Sequence, residues 1–157
     1  MGPRVAFVST YPPRRCGIAT FTRDLAAAVG NREIMAIHRA GDRVLYPLEV
    51  TGLISAHDRW DYIRAADRVS ASGVSVVSIQ HEYGLFGGQD GAFILDFIDR
   101  VRVPVVATLH TVLRSPASRN AMSCRDCSTG PPPSWSCPKR PRGCSRTSTA
   151  QRARELV

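Results

Sequence analysis

At 157 residues the chain is long enough for one domain with a real core, and no apolar run in it approaches the roughly 20 residues that span a bilayer. The net charge of +8 points to nucleic acid only until it is mapped: residues 1–113 hold 12 Arg against 11 Asp and Glu, a difference of +1. Residues 114–157 hold eight Arg and Lys139 against Asp126 and Glu155, and four of the five cysteines, so basicity and cysteine content say nothing about the main body. With no charged, apolar and small-residue leader at its start, the chain is expected in the cytoplasm.

In chain order, Arg4 to Ser9 is an apolar, β-branched first strand. The paired prolines Pro12 and Pro13 then force a loop that ends at Cys16-Gly17. A helix is predicted from Ile18 to Val29, with Phe21, Leu25, Ala28 and Val29 as its apolar face and Gly30-Asn31 as its stop. Glu33 to His38 reads as a second strand, whereas Arg39 to Ser55 has no clear pattern, Pro47 interrupting a short candidate strand. Ser55 and Asp58 can cap a helix running to about Ser72, with Tyr62, Ile63, Ala66 and Val69 facing the core and Gly73 closing it. Val76 to Ile79 is expected to be a central strand covered on both faces. Asp90 is predicted to cap a helix over Gly91 to Arg102 at most, its apolar face being Phe93, Ile94, Phe97, Ile98 and Val101. After Pro104, Val105 to Leu109 reads as one more buried strand.

Strands alternating with helices imply right-handed crossovers, hence an α/β fold: a Rossmann-like parallel sheet with helices on both faces. The first turn offers only Gly17 where a dinucleotide fingerprint needs three spaced glycines, which argues against an NAD-dependent enzyme. In such sheets ligands sit beyond the carboxyl ends of the strands. There the sequence turns abruptly polar: Gln80-His81-Glu82-Tyr83 and a loop with Gly84, Gly87 and Gly88 follow one strand, and His110-Thr111 follows another.

Four short motifs lie in order: the strand Val5 to Ser9; Tyr11-Pro12-Pro13 with Cys16-Gly17-Ile18-Ala19-Thr20-Phe21; Gln80 to Gly84 with Phe86-Gly87-Gly88 and Gly91; and Thr108 to Leu113. Together they resemble the N-terminal domain of a bacterial two-Rossmann-domain (GT-B) glycosyltransferase of the retaining, family 4-like group, over about residues 4–113. The resemblance implies hexosyl transfer from a nucleotide-sugar donor to a carbohydrate acceptor, with no metal and no further cofactor. It also implies that His110 lines the reaction cleft as a catalytic group, and that Gly17 and Ile18 approach donor phosphate or acceptor. His81, Glu82, Tyr83, Gly87, Gly88 and Thr111 become substrate-binding positions, and Arg14 and Arg15 can steer an anionic ligand.

Each position also has a plain structural reading. A strand-end histidine is often a hydrogen-bonded cap, glycine pairs shape turns, Cys16 is a small loop residue, and Arg14-Arg15 is a solvated pair. A non-catalytic sugar or small-ligand module therefore stands as an alternative.

From Arg114 onward the alternation stops, and a Ser-, Arg-, Pro- and Cys-rich segment is expected to be disordered. Cys124, Cys127, Cys137 and Cys144 allow a zinc-supported nucleic-acid binder as a further alternative, although the spacing of the second pair is outside that of compact zinc ribbons. The codons of 131–149 read one frame over are also compatible with an apolar strand, a serine-capped turn and an amphipathic helix, the βα unit that the resemblance places next. On this reading the donor-binding half is missing or separately encoded, and the chain alone is expected to be inactive.

Overall fold

The computed structural model describes residues 2–42 and 44–112. Five strands, β1 (Val5–Ser9), β2 (Arg32–His38), β3 (Val50–Ser55), β4 (Val76–His81) and β5 (Val105–Leu109), form one sheet in the order β3-β2-β1-β4-β5. Every pairing is parallel, so all carboxyl ends lie on one rim. Three helices, α1 (Gly17–Val29), α2 (Arg59–Ala71) and α3 (Phe93–Arg100), cover the sheet. This is the Rossmann-like α/β architecture expected from the alternation.

The alternation of side chains along β1 and β2 explains the two layers. Ala6, Val8, Met35 and Ile37 point into the cluster that α2 and α3 close with Tyr62, Ala66, Val69, Ile94 and Phe97. Phe7, Ile34 and Ala36 point the other way, toward Ala26 of α1 and Tyr11. Covered on both faces, these strands are mainly apolar, which is why they read as nearly continuous hydrophobic runs.

Four local expectations need correction. The buried face of α1 is Ala19, Thr22 and Ala26, whereas Phe21, Ala28 and Val29 are exposed and Leu25 is half-buried. Small side chains let the helix approach the sheet, and the Thr22 hydroxyl is satisfied there by the Ile18 carbonyl (2.7 Å) and Ser9 Oγ (2.9 Å). Second, Asp90 does not cap α3. It lies at φ 54° in a single 3-10 turn between Gly88 and Gly91, both also at positive φ, and the amide of Phe93 is met by the Gly87 carbonyl at 3.1 Å. A folded-back loop thus replaces the side-chain cap, and α3 ends at Arg100, with Val101 already extended.

Third, β5 is an edge strand and not a buried one. Val106 and Leu109 are 51% and 52% exposed, because β4 is its one neighbour among the described residues. Fourth, the segment without a clear pattern contains a true strand, β3. Its register slips between Ile34 and Met35 of β2, where the Thr51 hydroxyl accepts from the Ile34 amide (3.2 Å) and donates to the Ile34 carbonyl (3.0 Å). A side chain standing in for ladder bonds leaves no period-2 signal.

The helix α2 is as expected. Asp58 accepts from the Trp60 amide at 2.9 Å; Tyr62, Ala65, Ala66 and Val69 are buried, Ile63 is half-buried, and Gly73 turns the chain at φ 76°. Among the described residues no helix is long and apolar enough to cross a membrane. The expectations for 114–157, including disorder, zinc and nucleic-acid binding and the second reading frame, lie outside the described residues.

Candidate functional site

The strand order reverses between β1 and β4: β2 and β3 extend the sheet to one side, β4 and β5 to the other. In open α/β sheets ligands bind at the carboxyl rim beside such a reversal, which here is bordered by the loop into α1 and by the ends of β4 and β5. The polar residues singled out from the sequence line this stretch of the chain, but they do not all converge.

His110 is held from three directions. Its backbone amide donates to the His81 carbonyl at 2.9 Å, extending the β4–β5 ladder past the strand ends. Its Nε2 lies 3.0 Å from Gln80 Oε1, and the Gln80 amide nitrogen donates to Ser78 Oγ at 3.0 Å. The ring of Phe21 meets the imidazole edge-on, with centroids 5.1 Å apart. Elements α1, β4 and β5 therefore meet at this one side chain.

Beyond the strand ends, Thr111 Oγ1 donates to Glu82 Oε2 at 2.6 Å, and the Tyr83 amide donates to Glu82 Oε1 at 2.9 Å. Both carboxylate oxygens are thus engaged, which fixes the carboxylate at the head of the loop.

His81 is a backbone neighbour of His110, yet its ring goes to the opposite face. Val77 and Ile79 place the odd positions of β4 in the α2–α3 core, and His81 follows them, packing against Phe86 (5.7 Å) and edge-on to Tyr83 (5.5 Å). Its Nδ1 is buried without a hydrogen-bond partner. Burial pushes its pKa below the ordinary 6.5; the Glu82 charge opposes this and His110 adds to it. One rim carries the two histidines, but one pocket does not.

Gly17 and Ile18 open α1 behind Cys16, whose Sγ accepts from the Ala19 amide at 3.3 Å and lies 3.3 Å from Thr10 Oγ1. As the first two helical residues, their amides precede the helix's own hydrogen-bond ladder. A methyl group built at Gly17 would meet nothing within 4 Å, so this backbone faces open space. The side chain of Ile18, in contrast, is half-buried against the core.

Gly87 and Gly88 have a packing explanation. Gly87 is buried, its amide donates to Tyr62 Oη at 3.1 Å, and a Cβ there would lie 1.6 Å from the Ala56 carbonyl oxygen. At Gly88 a Cβ would lie 2.7 Å from the Phe93 ring. Both glycines press the loop onto the turn after β3 and onto α2 and α3, so of Gly17, Gly87 and Gly88 it is Gly17 whose Cα faces open space. Among the described residues no group of three or more His, Cys, Asp or Glu is placed to hold a metal ion.

Sequence reasoning missed Gln80 and Phe21 as site residues. Gln80 carried a signal: it is an amide at the end of a mainly apolar strand, fully buried in the structure, and such a group needs partners. Phe21 carried none, since its place against His110 depends on how α1 sits across the sheet.

No protein-family model, curated protein or solved structure matches the chain. Fold and rim define it as an α/β domain of Rossmann-like topology with a polar, histidine-bearing carboxyl edge.

Proposed function

We propose that residues 1–113 are the acceptor-side half of a retaining GT-B glycosyltransferase that moves a hexosyl group from a nucleotide-sugar to a carbohydrate acceptor. The observation that carries this reading is His110, held by Gln80 and Phe21 just past β5, on the same carboxyl rim as the loop that opens α1 at Gly17 and Ile18. The chemistry suits the task. A hydroxyl acceptor and a diphosphate leaving group call for neutral hydrogen-bonding groups and backbone N–H donors at positions set before the reaction.

In this reading His110 touches the transferred sugar or the attacking hydroxyl, and Gly17 and Ile18 meet phosphate or acceptor oxygens. The Glu82–Thr111 pair offers hydrogen bonds to further hydroxyls, while His81, Tyr83, Gly87 and Gly88 shape the loop beneath them. The described residues supply one wall of a cleft; a donor-binding domain supplies the other, so this wall alone binds without turnover.

The test is an NMR titration of the full chain with free hexoses, disaccharides and nucleotide-hexoses, accompanied by an assay for released nucleoside diphosphate. Shifts confined to Gly17, Ile18, Gln80, His110 and Thr111, with no turnover, are expected. Absence of any shift at these residues across the panel would falsify the site, and hexosyl transfer by the chain alone would contradict the single wall. One observation favours a second reading, a sugar-binding module without chemistry: both oxygens of Glu82 already accept hydrogen bonds, from the Tyr83 amide and the Thr111 hydroxyl, which suits holding hydroxyls better than abstracting a proton. Transfer restored by adding a donor-binding partner domain separates the two.

A further inference from the structure

The chain Ser78–Gln80–His110 has a direction. Gln80 pairs in register with Thr108, and His110, two residues further on, returns to the same face of the sheet, so its ring lies over the Gln80 amide. Gln80 is 0% exposed, and both ends of its amide have partners: the nitrogen donates to Ser78 Oγ and the oxygen faces His110 Nε2. An amide oxygen only accepts, so the nitrogen opposite it must carry a proton.

We infer that Gln80 is a positioning residue that holds His110 as the Nε2–H tautomer, leaving Nδ1 as a hydrogen-bond acceptor for a ligand hydroxyl at the rim. Among the described residues Nδ1 has no hydrogen-bond partner, whereas the backbone bond to His81 and the edge contact with Phe21 restrain the ring around it. A neutral imidazole offering a lone pair takes an O–H or N–H donor and repels a bare anionic oxygen. Hydroxyls are thereby directed to His110 and phosphate oxygens to the amides of Gly17 and Ile18. That the hydroxyl belongs to a sugar rests on the function proposed above; the tautomer does not.

The experiment is a long-range proton–nitrogen NMR correlation of the imidazoles in the uniformly labelled full chain without ligand, at neutral pH. Wild type is expected to show His110 protonated at Nε2 with a slowly exchanging proton and an unprotonated Nδ1. Gln80→Leu is expected to speed the exchange of that proton at least tenfold and to mix the tautomers, and Gln80→Glu, which keeps the acceptor oxygen, to keep the proton on Nε2. Ser78→Ala, a milder change that frees the amide to turn around, is expected to mix the tautomers even if Gln80→Leu fails to fold. A wild-type Nδ1–H tautomer overturns the inference, as does a folded Gln80→Leu or Ser78→Ala chain with wild-type exchange and tautomer. Hexose is then titrated into the same sample. A predominant Nε2–H form whose Nδ1 does not respond to any hexose upholds the tautomer and counts against the glycosyltransferase reading.

Discussion

Replacing Gly87 by alanine puts a methyl group where the structure has the Ala56 carbonyl, 1.6 Å from the new carbon. Neither side can yield cheaply, because both are backbone. The loop must lift, which breaks a relay in which the Gly87 amide donates to Tyr62 Oη (3.1 Å) and that hydroxyl donates to the Ala56 carbonyl (3.2 Å). Each of these bonds contributes about 1 kcal/mol net, and forced overpacking costs about 1–3 kcal/mol, so the loss is about 3–5 kcal/mol. Against a total of about 5–15 kcal/mol that is a large fraction, and it lowers Tm by about 12 °C or more in a domain of this size. Thermal and urea unfolding of the full chain, followed by far-ultraviolet circular dichroism, measures it. Tyr62→Phe, which removes the hydroxyl without adding bulk, is expected to cost about 1–2 kcal/mol. Gly17→Ala, in open space, is expected to keep the parental stability or gain slightly from helix propensity. A Gly87→Ala chain within about 1 kcal/mol of the parent would refute the packing role given to this loop.

Three further outcomes follow from the same reasoning. Burial holds His81 below its ordinary 6.5, so the unfolded chain takes up the proton first; the His81 contribution is complete above about 6.5 and is lost as pH falls through the folded value. Subtracting the pH–stability curve of His81→Phe from that of wild type should isolate this slope, and a flat difference contradicts it. Tyr11 is pushed up to about 12, first by burial and then by its 2.6 Å hydrogen bond to Glu49 and that group's charge. Its stabilisation is present below 10.0 and lost as pH rises toward 12, and the wild-type minus Tyr11→Phe absorbance titration should show one phenol ionising well above 10.0. Finally, Cys16 caps α1 with a weak acceptor; Cys16→Ser is expected to match or exceed wild type in chemical denaturation, and Cys16→Ala to lose about 0.5–2 kcal/mol. A destabilised serine variant would count against the capping role.

The sequence by itself determined the fold class, because strands covered on both faces must be apolar throughout while helices repeat their apolar positions every three to four residues. It placed β1, β2, β5 and α2 within a residue or so, and it located the polar strand ends where a ligand edge belongs. Tertiary structure alone decided the rest, since the rest depends on partners distant in the chain. Strand β3 is bonded through a Thr51 hydroxyl rather than a regular ladder, Asp90 is bent out of a capping position by the loop that Gly87 anchors, and the buried face of α1 is set by close approach to the sheet rather than by side-chain size. The same holds at the site. Consecutive residues of a strand point to opposite faces, so His81 and His110, adjacent through their backbones, serve different sides of the sheet, and only the pairing of β4 with β5 brings Gln80 beneath the imidazole it orients.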